Sequence, residues 1–285
     1  MRRMPSAPAP GSDLSAAPSG PVHDSLQPSV SLILPAYNEA ERIGSALDEL
    51  FGYLHRAGPA RDGALPASDM GHVEVIVVDD GSADATADIV AHRQEHNGGA
   101  HADLHLMLRE HAGKGAAVRA GMLEAKGDYI VFADADLATP PDQLPLLTNA
   151  LAHHDIALGS RVQPDGTDRR ASQPLHRRLL GRVFHSLAAL WVTGPVPDTQ
   201  CGFKGFTREA AHDLFSRQAI TSIVFDVEVI YLARRRGYRI AVVPIRWADR
   251  RGSRMHPGPG LALRVALDLV RARLIHRRVP RLRPA

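Results

Sequence analysis

With 285 residues, 44% of them hydrophobic and 23% charged, the chain has a soluble globular composition and the length of one large domain or two small ones. No run approaches the roughly 18 apolar residues of a membrane span, and the single cysteine, Cys201, excludes an intramolecular disulfide and a multi-cysteine zinc site while suiting a reducing, cytoplasmic compartment. A net charge of +3 is too small to argue for nucleic acid.

Residues 1–28 hold six prolines and five serines without a periodic apolar face, which predicts a disordered leader. Arg2 and Arg3 are not followed by the apolar run of a signal peptide. Over 29–258 short apolar runs alternate with helical patterns. Val30–Leu34 reads as a strand, and Glu39–Leu54 as a helix with Ile43, Leu47, Leu50 and Leu54 on one face. Residues 57–71, rich in Gly, Ala and Pro, read as an inserted loop. Val73–Val78 is a β-branched strand, with Ser82 or Asp84 placed to cap the next helix. Leu104–Leu108 (strand), Gly115–Ala125 (helix), Tyr129–Ala133 (strand), Gln143–Ala152 (helix) and Ile156–Gly159 (strand) continue the alternation. Less regular sequence follows, with helices predicted over Leu175–Val192, Thr207–Ser216 and Phe225–Arg236 and a late strand over Ile240–Ile245. Such alternation implies an α/β fold: a mostly parallel, Rossmann-like sheet flanked by helices.

Ligands of open α/β sheets bind at the carboxyl ends of the strands, and three clusters fall there: Pro35-Ala36-Tyr37-Asn38-Glu39, Asp79-Asp80-Gly81-Ser82 and Asp134-Ala135-Asp136. Any one of them is ordinary turn chemistry; three at one edge are a crowd of carboxylates. Like charges about 4 Å apart repel by roughly 4 kcal/mol at an effective dielectric of 20, so such a group holds a proton or binds a cation. Asp134 and Asp136, at i and i+2 of extended backbone, point the same way and can share one ion. Their oxygens select a hard cation, Mg²⁺ or Mn²⁺, which in turn suits a diphosphate. Gly113-Lys114-Gly115 opens a helix whose N–H groups and ammonium can meet that anion. Neither a Walker A loop nor a Gly-x-Gly-x-x-Gly after the first strand is present, which argues against a P-loop nucleotidase and a dehydrogenase.

In that order, these motifs resemble the family 2 glycosyltransferases of GT-A fold. Gly159-Ser160-Arg161, the string Asp198 to Lys204, Phe225-Asp226-Val227-Glu228 and Gly252-Ser253-Arg254 resemble the subgroup that glycosylates dolichyl and other polyprenyl phosphates, with the likeness running from Val30 to Arg254. The resemblance implies inverting, metal-dependent transfer of a hexose, glucose above all, from a nucleotide diphosphate sugar such as UDP-glucose to a polyprenyl phosphate. It implies that Pro35, Tyr37, Glu39, Asp79 and Asp80 meet the nucleotide, that Lys114 and Asp134 fix it, and that Asp136 with Asp134 holds the metal. Ala138 stands where related mannosyl transferases carry a Gln that adds a metal ligand, a departure that resembles the glucosyl branch.

A phosphate acceptor is already ionised near neutral pH and needs positioning rather than a general base. Arginines suit it through bidentate contacts, which makes Arg161, Arg177, Arg178 and Arg254 the candidates, with Lys204 and Asp226 completing the catalytic set beside them. Asp226 and Glu228 cannot share a helix face, so at most one is expected to point inward. Arg169, Arg170, Arg234, Arg235 and Arg236 are expected on solvated faces, and Cys201 and His153-His154 in structural or surface roles. Two alternatives stay open: transfer to a soluble hydroxyl acceptor with Asp198 or Asp226 as base, and a non-catalytic module that binds nucleotide sugar or docks on membrane. Residues 261–285 carry seven arginines against one aspartate, leaving 29–260 mildly acidic at −3. Leu261, Val265, Leu269 and Ile275 give the segment 259–285 an apolar helical face, for a membrane surface or for the domain itself.

Overall fold

A computed structural model of the chain describes residues 27–55, 70–96, 101–163, 165, 196, 198–248 and 259–282. Most of the predicted leader and inserted loop, the helix predicted over Leu175–Val192, and Arg169, Arg170, Arg177, Arg178 and Arg254 lie outside these residues.

Among the described residues one sheet is built from β1 (Val30–Ala36), β2 (Val73–Asp79), β3 (Ala102–Leu108), β4 (Tyr129–Ala133), β5 (Ile156–Ser160), β6 (Phe203–Thr207) and β7 (Ile240–Pro244), in the order β3-β2-β1-β4-β6-β5-β7. Only β6 runs antiparallel to its neighbours β4 and β5. The helices are α1 (Ile43–Leu54), α2 (Thr86–Gln94), α3 (Lys114–Glu124), α4 (Leu144–Leu151), α5 (Arg208–Arg217), α6 (Phe225–Arg236) and α7 (Pro259–Ile275). A 3-10 turn, Pro141–Gln143, leads into α4.

Both faces of the sheet's central strands are covered, which is why β1 and β4 are almost wholly buried, whereas β3 at one edge alternates in burial and β7 at the other is partly exposed. Along β1, Leu32 and Leu34 join Ile43, Leu47 and Leu50 of α1 on one side, while Ile33 joins Val118 and Met122 of α3, Phe215 of α5 and Val229 of α6 on the other. A third, smaller cluster seats α7: Leu269 and Ala272 pack on Ile220, Val224 and Val227.

Three details depart from the sequence expectations. Helix α1 begins at Ile43 rather than Glu39, because Asn38 adopts φ 54° and the Glu39 carboxylate folds back onto Arg42. Ser82 does not cap α2: its hydroxyl bonds the Asp79 carboxylate, and Asp84 accepts the Thr86 N–H at 3.0 Å instead. The strand β6 was not expected at all.

The sheet order reverses direction at the β1/β4 boundary, since β2 and β3 extend one way from β1 and β4 the other. That boundary is where an open α/β sheet forms its ligand crevice. Strand β6 brings its first residue to the same edge, with Phe203 opposite Ala133.

Candidate active site

Strands β1 and β2 end in loops that are clipped together. The Asn38 N–H donates to Ser82 Oγ at 2.8 Å, and Asn38 Oδ1 accepts the Ala83 N–H at 2.8 Å. Asp79 accepts the Ser82 N–H at 3.2 Å and also the Ser82 hydroxyl. Asp80 differs from its expected nucleotide role. Its two oxygens accept the N–H groups of Ala112 and Gly113 at 2.9 Å each, and His111 Nδ1 lies 2.9 Å away. Asp80 therefore fixes the loop after β3. That loop stacks His111 on Tyr37, with ring centroids 4.2 Å apart and planes at 25°. Tyr37 remains 43% exposed at the crevice mouth. His111 had no sequence signal beyond its place two residues before Gly113-Lys114.

The charged centre lies between α3 and the end of β4. Lys114 Nζ donates to Asp134 Oδ1 at 2.5 Å. Burial pulls the lysine pKa down, but attraction from Asp134, Asp226 and Asp136 outweighs it and holds the ammonium above its usual range. Burial, with the Asp134 charge beside it, pushes the Asp136 carboxyl above the ordinary carboxylate range, against the pull of the Ala138 N–H, Arg42 and Lys114. Arg42 extends the network: it clasps Glu39 through Nε at 2.7 Å and Nη2 at 2.6 Å, and its Nη1 faces Asp136 Oδ2 at 3.5 Å. Glu39, expected at the nucleotide, is thus tied to Arg42.

The expected extended alignment of Asp134 and Asp136 is not what joins them. Beyond β4 the chain turns, with the Leu137 N–H donating to Asp134 O at 2.9 Å and Leu137 at φ 48°. A buried leucine in left-handed backbone is strained, and such strain is tolerated where neighbours over-determine it. Gly202 is one such neighbour: its carbonyl accepts the Asp134 N–H at 3.0 Å, and a Cβ at Gly202 would collide with the Asp134 carboxylate. Nor is the start of α3 an open anion nest. Gly115 N–H donates to Thr221 O at 2.9 Å, and the N–H groups of Ala116 and Ala117 to Gly113 O. The Lys114 ammonium is what this helix end presents.

On the far side of the crevice, Arg161 binds Asp198 through two bonds, Nε at 2.7 Å and Nη2 at 2.8 Å. Its guanidinium carbon stands 5.5 Å from the centre of the Trp247 ring. Desolvation opposes the guanidinium charge, but Asp198 overcompensates and raises its pKa further. Lys204 is deeper than expected: it is 0% exposed, donating to Asp226 Oδ1 and to Cys201 O at 2.6 Å each. It acts on the crevice only through Asp226, whose carboxyl burial pushes up in pKa while Lys204 and Lys114 pull it down. Burial, with Asp198 nearby, also drives the Cys201 thiol up to about 12, in keeping with a structural role. Asp226 and Glu228 do not share a face, as expected: Asp226 meets Lys204 beside the crevice, while Glu228 is buried elsewhere, against the N–H groups of Ala219 and Ile220 and against His276. Arg236 is not solvated either: it is buried against Asp213 and the carbonyl of Pro280.

A strand-order reversal with Lys114, Asp134 and Asp136 on one side and an ion-paired wall on the other defines a class, and the chain belongs to glycosyl transferase family 2, whose family model matches residues 31–215. The architecture is the GT-A fold expected from the sequence. Among similar proteins, the dolichyl-phosphate beta-glucosyltransferase of Drosophila melanogaster is 38% identical over 244 residues, covering 83% of this chain and 72% of that protein. The enzyme of the same name from Homo sapiens is 35% identical over 243 residues, covering 83% and 72%. A solved structure of glucosyl-3-phosphoglycerate synthase from Mycobacterium tuberculosis, in complex with Mn²⁺, UDP-glucose and phosphoglyceric acid, matches with a TM-score of 0.58. At 21% identity over 86% of this chain and 79% of that one, it shares the fold.

Proposed function

We propose that this chain is an inverting glucosyltransferase that moves glucose from UDP-glucose to a polyprenyl phosphate of the dolichyl type. The observation that carries the reading is the Lys114–Asp134 pair beside Asp136 at the sheet's reversal point, in a chain whose relatives bear the name dolichyl-phosphate beta-glucosyltransferase. The donor set suits Mg²⁺ or Mn²⁺. Two carboxylates from one turn, crowded enough that burial and Asp134 raise the Asp136 pKa, are the oxygen ligands a hard cation selects. Asp134 and Asp136 would hold it, and when bound it supplies neutralisation of charge on a diphosphate leaving group.

The chain's own groups account for the rest. Lys114 offers an ammonium to the same diphosphate, and the exposed Tyr37–His111 stack with Asp79 offers a planar and polar surface for the nucleoside. A phosphate acceptor attacks without a general base. That matches the far wall, where Asp198 is committed to Arg161 and Asp226 to Lys204, so neither stands ready to deprotonate a sugar hydroxyl. Arg161 orients the acceptor from that wall, and Arg177, Arg178 and Arg254 remain proposed partners of its phosphate. The domain division proposed is a leader at 1–28, a catalytic domain at 29–258 and the C-terminal segment 259–285.

The C-terminal helix supports contact with an anionic membrane surface on the cytoplasmic side. Val265, Leu269 and Ala272 face the domain. Leu267, Val270 and Leu274, spaced three and four apart on the other face, are exposed. Arg271, Arg273, Arg277 and Arg278 lie alongside them, a charge pattern complementary to acidic headgroups. Ile275, expected on one apolar face with Val265 and Leu269, is exposed while Leu269 is buried, and no helix among the described residues is long and apolar enough to cross a membrane. The side chain of Leu261 lies outside the described residues.

The deciding assay supplies radiolabelled UDP-glucose, Mn²⁺ and a short polyprenyl phosphate, and extracts product into organic solvent. Label should appear in the organic phase with wild type and vanish with Asp136→Ala. Label transferred only to aqueous acceptors would overturn the lipid assignment, and undiminished Asp136→Ala activity in chelator would remove the metal. Flotation with phosphatidylserine vesicles should fail for Leu267→Glu/Leu274→Glu; equal flotation of both proteins would exclude docking by α7.

A further inference from the structure

Glu228 is a fully buried carboxylate, 0% exposed, for which the proposed transfer has no use. It lies two residues beyond Asp226, in the first turn of α6, where the helix dipole favours a negative charge. Its oxygens accept the N–H groups of Ala219 and Ile220 at 2.9 and 2.8 Å, and His276 Nε2, just past α7, lies 2.6 Å from Oε1. Both Glu228 oxygens already accept backbone N–H groups, so the bond to Oε1 is one that His276 donates from Nε2. Glu228 thus ties the segment 219–220 to the C-terminal end of α7.

That segment also reaches the crevice. Thr221 O accepts the Gly115 N–H at 2.9 Å, and Gln218 Nε2 donates to Gly115 O at 2.9 Å and to Ile220 O at 2.8 Å. Gly115, the residue after Lys114, is therefore held at both its N–H and its C=O by residues 218–221. Gly113 and Gly115 allow the close approach, since a Cβ at either would come within 2.9 Å of Thr221 O. The two carboxylates of α6 act on one lysine from two directions: Asp226 attracts its ammonium, and Glu228 holds the segment that clamps its backbone.

We propose that Glu228 and His276 are positioning residues for Lys114, which makes the end of α7 part of the donor site's support. The inference rests on the reading of Lys114 as a nucleotide-binding group, so its test includes a measurement independent of that reading. In the full-length protein, Glu228→Gln keeps the volume but turns an amide N–H₂ toward one of three donors. Amide hydrogen exchange of a peptide spanning residues 113–117 should quicken in this variant, at temperatures where circular dichroism shows it folded. His276→Phe should do the same, and His276→Gln, which keeps an N–H donor, should restore protection. Val90→Ala, a core substitution in α2 outside this cluster, should lower the melting temperature without changing exchange there. Unchanged protection at 113–117 in Glu228→Gln and His276→Phe would overturn the proposal.

The functional readout is a double-mutant cycle on the dissociation constant of UDP with Mn²⁺. Glu228→Gln should weaken binding about tenfold in wild type and have no further effect in Lys114→Met, because groups acting through one another are not additive. Equal effects in both backgrounds would refute action through Lys114. If wild type fails to bind UDP, the donor assignment falls while hydrogen exchange still decides the clamp.

Discussion

The Lys204–Asp226 pair allows a direct measurement of how dry the floor of the crevice is. Replacing Lys204 with Met keeps an unbranched apolar stem of nearly the same length but removes the ammonium, which stands 5.3 Å from the centre of the Phe132 ring. It leaves Asp226 without its 2.6 Å partner in a site where burial already disfavours the carboxylate. Breaking a buried pair by removing one member costs about 3–5 kcal/mol, and in a domain of this size each kcal/mol moves the melting temperature by about 2–4 °C. Lys204→Met should therefore melt roughly 6–20 °C lower, with a lower urea midpoint at an unchanged slope. Replacing both, Lys204→Met with Asp226→Leu, removes both charges and should recover most of the loss, since apolar replacement of a buried pair is close to neutral. A single variant within about 1 kcal/mol of wild type would refute the reasoning, because that is the worth of a solvated pair.

Other consequences follow from the neighbouring groups. Gly202→Ala should drive the Asp134 carboxylate off Lys114 and lower kcat/KM for UDP-glucose by about 10²-fold, the cost of misplacing a binding group by about 1 Å; an unchanged value would mean that the strand yields instead. Asp136→Asn should raise the melting temperature of metal-free protein at pH 7. A carboxyl whose pKa is raised on folding destabilises the native state once it is ionised, so the gain should shrink as pH falls through the raised native value and be gone below the ordinary aspartate value of 3.8. A gain persisting at pH 3 would assign it to something other than this titration. With its thiol pushed up to about 12, Cys201 should resist iodoacetamide at pH 8 until urea unfolds the chain, and native labelling would contradict its burial.

Much of the framework was legible because the chain's apolar periods are clean. Tyr129–Ala133 and Phe225–Arg236 form where the pattern puts them. Strand β6 escaped because Lys204 interrupts its apolar run, and only a carboxylate 22 residues away makes that lysine a core residue. The edge that carries the candidate site was likewise visible from its turn residues. Which carboxylates face outward was not: Asp80 turns to the N–H groups of Ala112 and Gly113, more than thirty residues along the chain. Arg42 shows the same limit. Its spacing from Glu39 predicts a local pair, but nothing local predicts that Nη1 meets Asp136.

The antiparallel strand also fixes an order of events during synthesis. Strands β4 and β5 are not partners of each other; each pairs with β6, which lies between them in the sheet and after both in the chain. Until Phe203–Thr207 is made, β4 has an unpaired edge on that side, the kind of surface that recruits other chains. Seventy residues separate Ala133 from Phe203, and at about 5–20 residues per second the ribosome takes roughly 4–14 s to cover them. For those seconds the nascent protein carries Asp134 at the end of an open sheet edge, and the strand that covers this edge of β4 also brings Gly202 against Asp134.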